Sequence, residues 1–294
     1  MSPDIFLAIA ATIVTAATPL LIAALGELVV ERSGVLNLGV EGMMIVGAVM
    51  AFAGAQWTGS AYAGLALAIV AGMAMASLFA LLVLIFRTNQ VVTGLALTIF
   101  GLGLSGLIGQ AFIGFPGVKL QPVLFGFDIL VYASLVLTAG IAWFLFRTRT
   151  GLILRAVGDN HTSAHAIGHN VIAVRLLAIL FGGACAGAAG AYLSLAYTPQ
   201  WVEGMTAGRG WIALALVVFA TWRPVRVLVG AYLFGTVLIL QFHAQALGVQ
   251  VPSQLLNALP YLATIFVLVL ISANSRLVQR NTPQCLGKPF APDV

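Results

Sequence analysis

Apolar residues run along this chain in long blocks, and the short segments between the blocks hold nearly all of its charge. A helix needs about 20 mostly apolar residues to cross roughly 30 Å of hydrocarbon. Nine blocks meet or approach that length: 5–25, 35–55, 61–86, 91–115, 129–146, 171–197, 210–222, 227–247 and 255–272. The pattern predicts an all-α chain, a polytopic transmembrane bundle of about nine spans in which some helices are broken or short. The third, fourth and eighth blocks are long and uncharged. The second contains Glu41 and the seventh is only thirteen residues long, which marks both as irregular.

Composition narrows the class. Of 294 residues, 61% are hydrophobic and 7% charged, whereas an ordinary soluble domain carries roughly a quarter charged residues. That excludes a soluble enzyme, a disordered chain and a nucleic-acid reader, and the net charge of +5 is spread too thinly to form a basic stripe. Cys185 lies in an apolar run and Cys285 in the tail, so no disulfide framework is expected. The start of the chain lacks the basic region and small-residue cleavage site of a cleavable signal peptide.

Nine spans put the two termini on opposite sides. The C-terminal side then receives Arg32, Arg87, Arg147, Arg149, Arg155, Arg175, Arg223, Arg226, Arg276, Arg280 and Lys288, and the other side only Lys119 and Arg209. That bias predicts a cytoplasmic C-terminus and an external N-terminus. Residues 1–294 read as a single transmembrane domain, with cytoplasmic segments at 147–170 and 273–294. Neither segment is long enough to bury its own core. No phosphate-binding G-x-x-x-x-G-K-[S/T] occurs, and Gly287-Lys288-Pro289 lacks both the glycine loop and the helix that would make one. ATP hydrolysis, if it drives this chain, belongs to another polypeptide.

Polar chemistry enters the membrane at two places. In ERSGVLNLGVEGMM, residues 31–44, three glycines interrupt an apolar segment that also carries Asn37 and Glu41. Four residues apart, these two share one face of a helix, and a helix broken here would free N–H groups for a polar solute. Glu41 either ties helices together or lines a solute path, and is expected to be the only carboxylate within a span. The short seventh block places Trp201, Glu203 and Arg209 near the outer interface, where Glu203 and Arg209 are positioned to pair and the tryptophan to act as a belt anchor. A faint inverted repeat links Leu95-Ala96-Leu97-x-x-Phe100 to Leu214-Ala215-Leu216-x-x-Phe219.

Other patterns carry bland readings. Gly183, Gly187 and Ala191, like Ser105 and Gly109, have the spacing that lets helix backbones approach. His161, His165 and His169 have helical metal-ligand spacing, but neighbouring glycines and a lack of carboxylates favour a solvated face, and no metal is expected. Gly103-Leu104-Ser105-Gly106 has the form of an intramembrane protease nucleophile, for which Ser105 would need His243 as base.

The strings GELVVERSGVLNLGVEGMM, NQVVTGLAL, LRAVGDN, GRGWIALALVVFATWRP and the closing LGKPF resemble permease subunits of ABC importers, specifically the nucleoside and simple-sugar branch related to the branched-chain amino acid permeases. The resemblance covers nearly the whole chain. It implies a pore of two permeases, as a heterodimer with a longer homologue, a double-cassette cytoplasmic ATPase that binds ATP and Mg, and an external solute-binding lipoprotein. No cofactor is expected in this chain. It also implies that residues 147–170 dock on the ATPase, with Arg155, Asp159, Ser163, Ala164 and Gly168 carrying the coupling. His161 and Ser163 depart from the family's usual proline and alanine there.

The resulting expectation is a permease, not an enzyme, that imports a nucleoside by alternating access along a path lined by Asn37, Glu41, Asn89, Gln90, Trp201 and Glu203. Aromatic stacking on a base favours a nucleoside over a bare sugar. The alternatives are a simple-sugar permease, a proton-coupled carrier using Glu41, and an intramembrane serine protease using Ser105 and His243.

Overall fold

A computed structural model describes residues 3–246 and 281–291, with isolated positions at 258, 262, 265 and 269. Among the described residues it contains ten α-helices: α1 (Pro3–Arg32), α2 (Val40–Thr58), α3 (Ala61–Ala80), α4 (Gln90–Gly109), α5 (Ile129–Arg147), α6 (Arg149–Asp159), α7 (His161–Ala166), α8 (Val171–Tyr192), α9 (Arg209–Phe219) and α10 (Pro224–Ala246). α3 and α8 each continue into a wider π turn, Leu81–Ile85 and Leu193–Tyr197. Seven of these helices are long and apolar enough to cross a membrane, and α9 is shorter. The expected ninth span, 255–272, lies outside the described residues except at its isolated positions.

Local chemistry starts five of the ten helices. Asn89 caps α4, Asp128 caps α5, Thr148 caps α6, Asn160 caps α7 and Asn170 caps α8, each accepting from backbone N–H groups of the first turn. Neither Gly39 before α2 nor Gly208 before α9 has a side chain to do this.

The bundle is centred on α2, α3 and α8, with α1 packed against α8 and α10. Small residues set how close the helices come. A Cβ on Gly47 would sit 2.6 Å from the Cα of Gly187, and one on Gly72 would overlap the Gly183 carbonyl. Three helices therefore touch backbone to backbone along the glycine spacing of α8, the packing that lipid-embedded helices use in place of a hydrophobic drive. The outward faces are rows of apolar side chains, such as Val92, Ile99 and Leu107 on α4 and Val136 on α5.

Three expected boundaries move. The first helix does not stop at residue 25 but runs to Arg32, which brings Glu27 and Glu31 into the span. Glu41 is therefore not the only membrane carboxylate. The second helix starts at Val40 rather than 35, so Asn37 lies in a non-helical break and does not share a helix face with Glu41. The seventh stops at Phe219, because Thr221 and Trp222 both adopt left-handed backbone (φ 48° and 53°) in the turn to α10. Protein partners hold most of the polar groups in these three places, the second oxygen of Glu27 excepted, so a hydropathy boundary does not coincide with a helix end.

Candidate transport pathway and coupling element

Glu41 sits in the first turn of α2 and is 4% exposed. Its Oε1 accepts from the Thr206 hydroxyl at 2.6 Å and from the Gly208 N–H at 2.8 Å, and its Oε2 accepts from the Gly210 N–H at 2.6 Å. The carboxylate is thus the missing N-cap of α9, supplied from another helix. Negative charge there also meets the positive end of the α9 dipole. A Cβ on Gly210 would lie 2.6 Å from the Glu41 backbone, so only glycine lets the two helix starts approach. α9 has 11 residues, about 16 Å at 1.5 Å per residue, roughly half the hydrocarbon thickness.

The far end of α9 is held by α1. Trp222 Nε1 donates to Glu31 Oε2 at 2.5 Å, and Arg32 donates from Nε and Nη2 to the Trp222 carbonyl at 3.2 and 2.9 Å. Left-handed backbone at bulky residues costs about 1–3 kcal/mol each and persists only where surroundings over-determine it. Glu31 and Arg32 do so here.

The break at 33–39 is pinned from both sides. Gln90 Oε1 accepts from the Leu36 N–H at 2.8 Å, and Glu27 Oε1 from the Asn37 N–H at 3.2 Å. Thr98 donates to the Leu38 carbonyl at 3.0 Å. Asn37 is fully buried, its Oδ1 accepting from the Gly39 N–H at 3.0 Å and its Nδ2 facing the Met43 sulfur at 3.6 Å. Gln90, Gly94 and Thr98 recur every four residues, so one face of α4 carries the whole contact. Glu27 Oε2 and Gln90 Nε2 are buried without a hydrogen-bond partner.

The six expected path residues therefore fall into three groups. Asn37, Glu41 and Gln90 are buried and engaged with the broken segments. Asn89 is exposed and caps α4. Trp201 is 4% exposed, its indole seated against Gly109 and the Ile45–Phe52 face of α2, so it is not free at the interface to stack on a base. Glu203 is exposed, with its carboxylate facing Gly106 of α4, and it does not hold Arg209. Arg209 instead donates to the Met205 carbonyl at 2.9 Å and lies 5.6 Å from the Tyr197 ring centroid. The serine of the protease-like string turns its hydroxyl back to the Leu102 carbonyl at 2.9 Å, while the His243 side chain is outside the described residues.

Basic residues gather at one end of the bundle, where α6 and α7 lie. Arg155 rests 5.2 Å from the Phe146 ring centroid. Asp159, Ser163 and Gly168 are exposed, whereas Ala164 is buried with Val157, Val171 and Phe290. Burial raises the Asp159 carboxyl above its ordinary value against the lowering pull of Arg32 and Arg155. His161 does not lie on a solvated face: its Nδ1 is 3.1 Å from Arg175 Nη2, and its ring and that of His165 meet Phe290 edge to face. Arginine can only donate, so Nδ1 accepts and the imidazole is neutral. Burial, with the Arg175 and Lys288 charges, holds the His161 pKa below the usual imidazole value. Among the described residues no group of three or more His, Cys, Asp or Glu side chains is arranged to hold a metal.

Sequence reading missed Glu27, Glu31 and Thr206, and counted Arg175 only among the basic residues of the C-terminal side. Glu27 and Glu31 share the i, i+4 spacing with each other, a signal lost once the first span was ended at residue 25.

Comparison with known proteins follows the same outline. The family described as branched-chain amino acid transport system / permease component matches residues 9–272. The putative glucose ABC transporter permease protein TsgC13 of Haloferax volcanii is 42% identical over 94% of this chain and 95% of its own. The guanosine ABC transporter permease protein NupQ of Bacillus subtilis is 32% identical over 95% of each. The nucleoside ABC transporter permease protein NupC of Lactococcus lactis is 31% identical over 97% of this chain and 94% of its own. No solved structure matches significantly. A helical bundle with two broken segments joined through one carboxylate, matched by this family along most of its length, is a membrane permease, and the chain belongs to the branched-chain amino acid transport system permease family.

Proposed function

We propose that this chain is the permease subunit of an ABC importer for an uncharged hydrophilic solute, a nucleoside in the first instance, moved by alternating access. One observation carries the reading: the starts of α2 and α9 meet inside the bundle through Glu41. Discontinuous helices meeting within the membrane are where transporters of several folds hold their cargo. Because Glu41 accepts from the Gly208 and Gly210 N–H groups and the Arg209 N–H donates to the Thr206 carbonyl, three donors at the start of α9 are already engaged and closed to a carboxylate or phosphate. This favours a neutral solute over an amino acid. The names of NupQ and NupC support a nucleoside. The name of TsgC13, with 42% identity, supports a simple sugar as the second reading. Since Trp201 is packed away, base stacking on it does not discriminate the two.

In this reading the basic end faces the cytoplasm. Asp159 on α6, Ser163 on α7 and Gly168 in the turn after it meet an ATPase that binds ATP and Mg, and Ala164 and Arg155 anchor that element to the bundle. A second permease, related or identical, covers part of the apolar outer face, and an external binding protein delivers the solute. Glu41 acts as a clamp between helices rather than as a proton carrier.

The test is uptake in liposomes by the chain alone and by the assembled complex, with guanosine and glucose as competing cargo. Uptake is expected only with the ATPase, the second permease and ATP present. Accumulation by the chain alone under a proton gradient would overturn the importer reading, and competition by glucose but not guanosine would select the sugar.

A further inference from the structure

At the basic end, one short stretch of the C-terminal tail bonds to the α1–α2 break and to the end of α6 at the same time. The Cys285 N–H donates to the Gly158 carbonyl at 2.9 Å, and the Gly287 N–H donates to the Gly34 carbonyl at 3.2 Å. Gly34 (φ 88°) and Gly158 are themselves in backbone contact: a Cβ on Gly34 would lie 3.2 Å from the Gly158 Cα, and one on Gly158 would overlap the Arg32 carbonyl. The Cys285 thiol points to the Asp159 carbonyl at 3.4 Å, and Phe290 packs with Val157, Ala164 and Val171.

Arg175, at the start of α8 and only 1% exposed, closes the knot. Its Nε donates to the Ser33 carbonyl at 3.2 Å, its Nη1 to the Lys288 carbonyl at 3.1 Å and its Nη2 to His161 Nδ1 at 3.1 Å. One guanidinium thus reaches the break, the tail and α7 in three directions. Lysine cannot do this, because its ammonium is a point donor without the planar fork.

We infer that the tail segment 285–290, locked by Arg175, is the staple that makes α6–α7 and the α1–α2 break move as one body. The inference rests on the importer reading, in which α6–α7 receives the ATPase's movement. The break in turn abuts the start of α2, whose Glu41 holds α9. A displacement at α6 therefore has a continuous bonded route to the point where the two broken segments meet: Gly158 to Gly34, across the break to Glu41, and on to Gly208 and Gly210. Without the tail, Gly34 and Gly158 meet only by van der Waals contact, which can slide, and Arg175 alone bonds the break to α7. With it, both carbonyls are tied to residues two apart in a single turn. Arg175 acts as a positioning residue.

The experiment uses the assembled complex in liposomes and reads solute uptake per ATP hydrolysed, a ratio that lower folding yield leaves unchanged. A chain ending at Gln284, and separately Arg175→Lys, is expected to continue ATP hydrolysis while uptake per ATP falls at least tenfold. An unchanged ratio in both variants would overturn the inference. If the wild-type complex itself shows no ATP-dependent uptake, the importer reading fails instead, so the two failures are distinct. Should the shortened chain not assemble, hydrogen exchange on the wild-type complex decides. Protection at 33–35, 157–160 and 285–288 is expected to change together when the ATPase is trapped with vanadate, and a change confined to one of the three segments would refute the staple.

Discussion

At the scale of single residues, the buried carboxylates differ in what they hold. Glu41 uses both oxygens on three donors belonging to another segment. Glu27 uses one oxygen, on the Asn37 N–H, and its second is buried without a partner. That oxygen holds no donor, so replacing it breaks no hydrogen bond. Glu27→Gln keeps the one acceptor and is expected to leave the melting temperature of the purified protein within a few degrees. Glu41→Gln turns an NH2 group toward N–H or O–H donors and is expected to cost about 3 kcal/mol, the scale for breaking a buried charged hydrogen-bond set, and to depress uptake with it. Equal melting of the two variants would contradict this assignment. Asn37 and Glu41 were visible in the sequence as polar residues in an apolar run. Their different partners were not, because the Thr206 and Gly210 that complete Glu41 lie more than 160 residues away.

At the scale of elements, the helices are legible where they cap themselves and illegible where a neighbour caps them. Asn89, Asp128, Thr148, Asn160 and Asn170 stand at the starts of their own helices. α9 begins with left-handed Gly208 and borrows Glu41, so neither its start nor its short length follows from local propensity. Packing between elements gives a sharp contrast among glycines. Gly72→Ala and Gly187→Ala place a methyl group on the backbone of α8 and α3 respectively, whereas a Cβ on Gly103 or Gly140 meets nothing within 4 Å. The first pair is expected to abolish the monodisperse folded protein in detergent. The second pair is expected to leave it unchanged or to raise stability by up to about 1 kcal/mol, the helix preference of alanine over glycine. Gel-filtration profiles and thermal melts of the four variants check both halves. The glycine spacing of α8 was apparent from the sequence, but the identity of the two helices that fill it was not.

At the scale of the whole molecule, pH reaches the tail through His161. Its neutral form accepts from Arg175 and stands beside Lys288, with His165 on the same short helix and Asp159 two residues before it. The folded pKa lies below the ordinary value of 6.5, so the unfolded or detached state takes up the proton first. That contribution to stability is complete above about pH 6.5 and is lost as pH falls below it. The Asp159 pKa is raised from 3.8, so protonating it favours the folded state, with the opposite sign and at more acidic pH. Lowering the pH from about 7.5 to about 5.5 is therefore expected to reduce hydrogen-exchange protection of residues 285–290, and His161→Phe is expected to flatten that response. Unaltered protection in the wild-type protein across this range would remove His161 from the account.

The class of molecule is written in the order of residues: long apolar blocks with sparse charge have no stable home but a bilayer, and glycines in polar-bearing blocks mark where helices break. Five of the helix starts are local as well, since a cap is a contact across two or three residues. What the broken segments do depends on the folded bundle. Glu41 closing α9, Glu31 and Arg32 closing the turn after it, and the tail tying Gly34 to Gly158 are all contacts between positions over a hundred residues apart. Such contacts depend on which helix backbones can approach, and hydropathy along one chain carries no record of its neighbours in space.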